Sequence, residues 1–195
     1  MAVIRVTGNP GSGTTTLCKR LASTLNYDFH YTGQIFREFA EKSGLSIDDY
    51  FKQLEKDPEL EKSIDRKQIQ LMLNFDRLVV DGRMAPFLPC RFQSINILLK
   101  VSEEIGAHRL SNRPEYQGKS TQEIMELVRM RVQTEKERYQ KLYGETYMRG
   151  IKDHLAPNND IFHISMHTSF YTAERVFQEI LRQILSKVKP LLASS

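Results

Sequence analysis

The sequence predicts an α/β fold in which helices cover both sides of a five-stranded parallel sheet, giving three layers. Three observations predict this class. Short runs of Val, Ile and Leu alternate with longer stretches of helical period, the first run leads into a glycine-rich turn, and a helical stretch follows that turn at once. Because 195 residues with 40% hydrophobic content suffice for one sizeable core, we expect a single domain over residues 1–195.

The strands are predicted from short apolar runs between polar segments. Runs of this kind are typical of strands that are buried on both faces of a parallel sheet. They occupy residues 3–6, 78–80, 95–101 and 161–164, and a weaker run at residues 28–31 completes the sheet.

The helix starts are predicted from capping residues, whose side-chain oxygens accept from the free amides of a first helical turn. The last helix has apolar side chains at helical spacing from Val176 to Val188. Residues 112–120 are polar, contain a proline and a glycine, and are expected to form a surface loop. The pairs that mark the starts are Thr32 with Ile35, Ser46 with Asp49, Asp57 with Pro58, and the capping box of Ser120 with Glu123, which opens a long helix to about Leu142.

Residues 8–16 read Gly-Asn-Pro-Gly-Ser-Gly-Thr-Thr-Thr and stand between the first strand and the first helix. In the pattern G-x-x-x-x-G-K-S/T, backbone N–H groups surround a phosphate, the Lys reaches the β- and γ-phosphates, and the final hydroxyl holds Mg²⁺. Gly8, Gly13 and Thr15 fit, whereas Thr14 takes the lysine position. The segment predicts an ATP phosphate site formed by Gly8, Pro10, Gly11, Ser12, Gly13, Thr14, Thr15 and Thr16, with Thr15 on the metal.

Two other interpretations of this loop are open. It could be an ordinary tight turn around Pro10. It could also be a dinucleotide-binding fingerprint that uses Gly11 and Gly13, but Thr16 replaces the third glycine and no acidic residue ends a second strand at the usual distance. The order of strand, loop and helix favours the phosphate site.

Because the lysine is missing, other cations must offset the phosphate charge if phosphoryl transfer occurs. Arg109 and Arg113 lie four residues apart. Arg131 and Arg138 lie seven apart, with Glu135 between them on one helical face. These four arginines are the candidate catalytic residues, since arginines commonly stabilise a transferring phosphoryl group. The alternative is an exposed helix face with paired charges.

A second candidate site follows a predicted strand. Asp81-Gly82-Arg83 stand at its carboxyl end, where ligands bind in open parallel sheets. Asp81 can orient a water on Mg²⁺, and Arg83 can hold a second phosphate with two hydrogen bonds. Gly33 and Arg37 stand similarly after the weak strand. The alternative is an Asp-Gly turn with an exposed arginine.

In their order and spacing these motifs resemble the cytidylate kinase-like family of P-loop nucleoside monophosphate kinases, nearest to its archaeal-type members. Several of those members also carry Gly-Ser-Gly-Thr-Thr-Thr in the loop. The resemblance extends from about Val3 to Gly144 and, more loosely, through the last strand and helix. The motifs that carry it are residues 8–16, 33–38, 57–59, 64–66, 81–83 and 138–139.

The resemblance implies a three-layer P-loop kinase fold with a monophosphate-binding segment at about residues 32–74 and a lid at about residues 109–138. It implies phosphoryl transfer from ATP to CMP or dCMP with Mg²⁺, and lid arginines that stabilise the transferring group. The chain departs from the usual family pattern in two places. Residues 81–86 read Asp-Gly-Arg-Met-Ala-Pro, where the family usually has Glu-Gly-Arg-Leu-Ala-Gly. The lid turn at residues 113–119 is longer than the short turn that is usual in the family. The residues that the resemblance assigns to the monophosphate are Gly33, Arg37, Asp65, Arg66, Asp81, Gly82 and Arg83.

Composition limits the other classes. A net charge of +4 suits a phosphate-bearing ligand but is too small by itself to indicate nucleic acid binding. Cys18 and Cys90 lack metal-ligand spacing, so we expect reduced thiols and a cytoplasmic protein. No apolar run approaches the roughly 20 residues that cross a membrane. We expect a monomer that binds small nucleotides, with two alternatives: a kinase for UMP or AMP, or a non-catalytic nucleotide-binding regulatory protein.

Overall fold

A computed structural model of the chain describes residues 2–45, 47–54, 56–155 and 161–192. The strands are β1 (Val3–Gly8), β2 (Asp28–Tyr31), β3 (Leu78–Asp81), β4 (Ser94–Lys100) and β5 (Ile164–His167). The helices are α1 (Thr14–Leu25), α2 (Thr32–Lys42), α3 (Ile47–Leu54), α4 (Pro58–Asn74), α5 (Glu103–Leu110), α6 (Thr121–Leu155) and α7 (Ala173–Leu192). Two 3₁₀ helices, Ala85–Phe87 and Pro114–Tyr116, lie in the loops.

The five strands form one parallel sheet in the order β2-β3-β1-β4-β5, which confirms the predicted sheet. β1 is central, and its Val6 is in register with Asp81 of β3. The carboxyl ends of these two strands are therefore neighbours. The glycine-rich loop after β1 and the Asp-Gly-Arg segment after β3 consequently share one edge of the sheet, where ligands bind in this class of fold.

Successive side chains of the central strand face opposite sides of the sheet, and each side is covered by helices. Ile4 belongs to a buried cluster with Leu21 of α1 and Ile180 of α7. Val3 belongs to a second cluster with Met72 of α4, which α6 also joins. The predicted three-layer arrangement is thus confirmed. Helices α2, α3 and α4 additionally share a cluster of their own around Ile64.

The predicted caps are partly correct. Asp57 accepts from the Glu59 amide at 2.9 Å, with Pro58 as the first residue of α4. Ser120 and Glu123 form the predicted capping box at the start of α6, while Ser46 lies outside the described residues. Thr32 is not a cap, because α2 already begins at this residue and its hydroxyl donates to the Asp81 carbonyl instead.

The last strand is shifted from its predicted position, since β5 begins at Ile164 rather than ending there. The physical reason is that β5 is an edge strand, and only Ile164 and Met166 of it contribute to the core. An edge strand with one covered face has apolar residues at every second position, so a search for continuous apolar runs places it wrongly.

Two features of the region after β4 also differ from expectation. The predicted surface loop at residues 112–120 contains a 3₁₀ helix whose Tyr116 is buried in a cluster with Leu110 and Ile124. The long helix is interrupted at Gly144, whose φ of 58° and ψ of −143° are not helical, close to the end predicted at Leu142. In the parts of the chain that the structure describes, no helix combines the length and apolar character of a membrane span.

Candidate active site

The loop after β1 has the geometry of an anion site. Gly11 and Gly13 have φ values of 79° and 93°, which are left-handed conformations that glycine adopts without strain. Gly13 caps α1, a helix of 12 residues whose first amides and positive end point into the loop. A Cβ atom on Gly8 would lie 2.3 Å from the Leu99 carbonyl oxygen, so the glycine is required there for packing.

The outer wall of the loop is formed by α5, which the sequence analysis did not predict. A Cβ on Gly11 would lie 2.4 Å from the carbonyl oxygen of Gly106, and a Cβ on Gly106 would lie 2.9 Å from that of Pro10. The two backbones approach each other because neither residue has a side chain. The glycine within a helical stretch was the available signal for Gly106.

A hydroxyl and a carboxylate meet at the carboxyl edge of the sheet. Thr15 Oγ1 donates to Asp81 Oδ2 at 2.6 Å. Burial raises the pKa of Asp81, whereas the hydroxyls of Thr15 and Thr14 and the nearby guanidinium of Arg83 act in the opposite direction. The donors fit Mg²⁺, which prefers hard oxygens and keeps waters and substrate phosphates as most of its ligands. Among the described residues, no group of three or more His, Cys, Asp or Glu side chains is arranged to hold a metal ion.

Arg83, which is predicted to bind the second phosphate, contacts the loop that is predicted to bind the first. Its Nη1 donates to the Gly8 carbonyl at 3.1 Å, and its Nε lies 3.1 Å from Glu135 Oε2 on α6. The preceding Gly82 is tightly enclosed, because a Cβ there would lie 2.3 Å from Thr32 Oγ1 and 2.8 Å from Gln68 Oε1. Arg83 therefore follows a closely packed glycine, where any larger residue would force Thr32 and Gln68 to move.

Arg37 and Gly33 lie on the first turns of α2, which follows the edge strand β2. The Arg37 guanidinium donates to the Tyr31 hydroxyl and lies 5.7 Å from the centre of that ring. A Cβ on Gly33 would lie 3.0 Å from the same ring. The structure thus places Arg37 against the Tyr31 ring at the end of β2. In the sheet, β2 is one strand further from β1 than β3, which precedes Arg83.

Arg109 and Arg113 both line a cavity of about 460 Å³ whose other wall includes Gly11, Ser12 and Gly13. They do not share a helix face as the spacing of four suggests, because α5 ends at Leu110. Arg113 is half-exposed, with Glu115 at 3.8 Å.

The Arg109 side chain is held by hydrogen bonds to residues around the loop. Its guanidinium donates to the Gly11 carbonyl at 3.3 Å, to the Thr168 carbonyl at 2.8 Å and to the Thr168 hydroxyl at 3.0 Å. Thr168, which is fully buried, donates in turn to the Ser12 carbonyl at 3.1 Å. Sequence reasoning missed Thr168, because a single threonine after an edge strand carries no local signal of this role.

Arg131 and Arg138 have different partners along α6. Arg131 Nε lies 3.4 Å from Glu135 Oε1, so it shares this carboxylate with Arg83. Arg138 Nε lies 2.6 Å from Oε2 of Glu61, a residue of α4 that is 1% exposed. Burial raises the pKa of Glu61, and Arg138 opposes that shift. The structure thus brings Arg131 to the candidate site and places Arg138 in the contact between α4 and α6.

Asp65 and Arg66 are also separated. Asp65 is buried, accepts from the Tyr143 hydroxyl, and lies 3.3 Å from the Gln68 amide nitrogen. Burial raises the pKa of Asp65 to about 7, against the effect of the Tyr143 hydrogen bond. Arg66 is exposed and lies 3.4 Å from Glu59. Gln68, which sequence reasoning missed, has a buried Oε1 with no hydrogen-bond partner.

Comparisons with known proteins identify the family of the chain. A family model described as an AAA domain matches residues 4–140. A cytidylate kinase from Pyrobaculum islandicum is 35% identical over 144 residues, covering 74% of this chain and 76% of that protein. A cytidylate kinase from Methanopyrus kandleri is 32% identical over 151 residues, 73% of this chain and 76% of that one. A cytidylate kinase from Archaeoglobus fulgidus is 27% identical over 187 residues, 95% and 97% of the two chains.

Solved structures with the same fold include kinases that are named for different substrates. A shikimate kinase from Bacteroides thetaiotaomicron has a TM-score of 0.60 at 20% identity, covering 95% of this chain and 98% of its own. A gluconokinase from Sinorhizobium meliloti has a TM-score of 0.55 at 14% identity, covering 100% and 97%. At these identities the likeness shows the fold alone.

Proposed function

The chain belongs to the cytidylate kinase-like family of P-loop kinases, and we propose that it transfers the γ-phosphoryl group of ATP to CMP or dCMP, giving ADP and CDP or dCDP. One observation carries the proposal. The phosphate loop after β1 and Arg83 after β3 touch at the same sheet edge, with 3.1 Å between Arg83 Nη1 and the Gly8 carbonyl. Two anionic groups bound there would be close enough for direct transfer.

We assign the phosphates of ATP to residues 8–16. We assign the adenosine of ATP to the neighbouring cavity of about 460 Å³, a volume that suits a small ligand. Arg83 and Arg109 touch the loop carbonyls and supply positive charge where the usual lysine is replaced by Thr14. Thr15, with Asp81 through water, would hold Mg²⁺. When bound, the metal would offset charge on the phosphate oxygens.

We assign the monophosphate to the neighbouring site formed by Arg83, with Arg37 and helices α2 to α4 completing it. The partnerless Gln68 Oε1 beside Gly82 supports a base that carries an amino donor, as cytosine and adenine do and uracil does not. The names of the curated relatives support cytosine. The resemblance also assigns Arg66 to this site, where its side chain is exposed and paired with Glu59.

The reaction needs no protein nucleophile. Phosphoryl transfer proceeds in line through a loose transition state, so the protein contributes position and charge stabilisation. Arg131, which shares a carboxylate with Arg83, and Arg113, whose charge acts on Asp81, are the lid arginines that we assign to the transferring group. The close packing of Gly8 against the Leu99 carbonyl, and of Gly82 against the side chains of Thr32 and Gln68, supports a fixed position for both segments.

The test is a steady-state assay of ADP release with CMP, dCMP, UMP and AMP, together with shikimate and gluconate, which the structural neighbours' names suggest as acceptors. The proposal predicts that CMP or dCMP has the highest kcat/KM. Turnover with shikimate or gluconate and none with any monophosphate would overturn it.

The absence of the lysine supports a second candidate, a nucleotide-binding regulatory protein without catalysis. Its signature would be saturable ATP binding in calorimetry by a protein that transfers nothing to any monophosphate. A higher kcat/KM for UMP or AMP would instead identify a kinase of another monophosphate.

A further inference from the structure

The Glu135 carboxylate forms ion pairs with two arginines from different parts of the fold. Its Oε2 lies 3.1 Å from Nε of Arg83, which follows β3, and its Oε1 lies 3.4 Å from Nε of Arg131, one turn earlier on α6. Each oxygen therefore serves a different guanidinium. The contact links the edge of the sheet to the lid helix directly.

The environment makes the contact between Glu135 and Arg83 stronger than an exposed ion pair, whereas the Arg131 side chain is more open to water. The Glu135 side chain is 17% exposed, and those of Arg83 and Arg131 are 33% and 55% exposed. Charges that are partly shielded from water attract each other more strongly than charges on an open surface. Two guanidinium groups and one carboxylate leave one unit of positive charge, which suits an anionic ligand.

The contacts set the direction of each arginine and leave nitrogen atoms for a ligand. Glu135 uses the Nε atom of both side chains, and the Gly8 carbonyl uses Nη1 of Arg83. Neither contact of Arg83 uses Nη2. A phosphate can therefore approach the outer part of the guanidinium while the carboxylate remains in place.

We propose that Glu135 is a positioning residue that fixes Arg83 for the acceptor phosphate and Arg131 for the transferring group before any nucleotide binds. This inference rests on the proposed function. Without the carboxylate, Arg83 would keep only its contact with the Gly8 carbonyl, and Arg131 only its interaction with Tyr116. Both side chains would then be less ordered before the nucleotide binds, and completing that order lowers affinity. The effect of Glu135 on the monophosphate is exerted through Arg83.

Glu135→Gln is the informative substitution because it keeps the size of the side chain. The amide is neutral and replaces one carboxylate oxygen by an NH2 group that can only donate, so one of the two guanidinium groups loses its acceptor. Glu135→Asp keeps the charge on a shorter side chain and should restore part of the function. Glu137→Gln is the matched control, since Glu137 is exposed on the same helix and accepts from Gln133.

In the steady-state assay, Glu135→Gln should raise the KM for CMP about tenfold and change the KM for ATP less than about twofold. Glu137→Gln should resemble the wild type, and Glu135→Asp should lie between. In an Arg83→Ala background, Glu135→Gln should have no further effect on the KM for CMP. Equal changes in both KM values, or an undiminished effect without Arg83, would overturn the inference.

A second measurement separates this inference from the proposed function. In nucleotide-free protein, NMR should show slow solvent exchange of the Nε–H protons of Arg83 and Arg131 in the wild type and in Glu137→Gln, and fast exchange in Glu135→Gln. If the wild type turns over no monophosphate, the proposed function fails while this result still decides whether Glu135 orders the pair. Unchanged exchange in Glu135→Gln would rule out the positioning role.

Discussion

In the proposed phosphate site, several arginines in fixed positions supply the positive charge that a single lysine supplies in the usual loop. Thr14 takes the lysine position, and its hydroxyl interacts with Asp81. Arg83 and Arg109 instead reach the loop carbonyls at 3.1 and 3.3 Å. We therefore expect Thr14→Lys to bring no gain in rate, because the positive charge is already supplied from outside the loop.

At the same scale, we predict that Gly106→Ala raises the KM for ATP by about tenfold or more, since small displacements of binding groups have large kinetic effects. The new Cβ would lie 2.9 Å from the Pro10 carbonyl and 3.2 Å from Val101 Cγ1, so the loop must shift. Steady-state kinetics with varied ATP measures this. Glu104→Ala, at an exposed position of the same helix, is the control. An unaltered KM for ATP in Gly106→Ala would show that the close approach is unimportant.

Some of these residues could be predicted from the sequence and others could not. The loop glycines and Asp81-Gly82-Arg83 form local motifs, so their chemistry is readable from neighbours in the chain. Thr168 and Glu61 act on residues distant in sequence, and nothing in their local surroundings indicates a partner. Glu135 was recognised on the face of Arg131, but its contact with Arg83 depends on how α6 packs.

Among the elements, the contact between α4 and α6 is polar and buried. Arg138 pairs with Glu61, and the Tyr143 hydroxyl donates to Asp65. Local patterns predicted the two helices and the α6 capping box, but helical periodicity does not reveal which faces meet. The structure shows that one face of α6 carries both Glu135 and Arg138, so this helix connects the candidate site to α4.

We predict that Arg138→Met destabilises the fold by about 3 kcal/mol, because it leaves a buried carboxylate without its cation. Urea unfolding measures this, and the double variant with Glu61→Gln should recover most of the loss. Arg182→Met, which removes an exposed pair with Glu179, should change stability by less than about 1 kcal/mol. If the double variant is stable yet transfers no phosphoryl group, Arg138 also acts in transfer, as the sequence analysis expected.

Asp65 should make stability depend on pH. Its pKa rises from 3.8 in the unfolded chain to about 7 on burial, with Tyr143 and Arg138 opposing the shift and Glu61 adding to it. The folded protein then keeps a proton that the unfolded chain loses, so stability should fall as pH rises from about 4 to about 7, by up to about 1.4 kcal/mol per unit.

Urea unfolding across this pH range should show a flatter profile in Asp65→Asn, which retains an acceptor for the Tyr143 hydroxyl. The pKa of Glu61 is raised in the same direction by burial, so some slope should remain in the variant. Identical slopes in the wild type and Asp65→Asn would show that Asp65 is ionised in the fold.

For the whole molecule, the strand order is what makes two local motifs into one candidate site. Parallel pairing of β1 with β3 puts the loop beside Asp81 and Arg83. The α/β class, the parallel sheet and the kinase family were predicted from the sequence and are confirmed. The base of the acceptor could not be fixed in this way, because it depends on the directions of a few side chains, such as Gln68, in a site assembled from separate helices.

The most direct test of the two-phosphate site uses ATP with a labelled γ-phosphate and measures where the label goes. The wild type should convert CMP to labelled CDP, with no label lost to water in the absence of CMP. Arg83→Ala should need at least about tenfold more CMP for the same rate while its affinity for ATP stays unchanged. Release of label as free phosphate regardless of CMP, or equal losses for CMP and ATP in Arg83→Ala, would contradict the account.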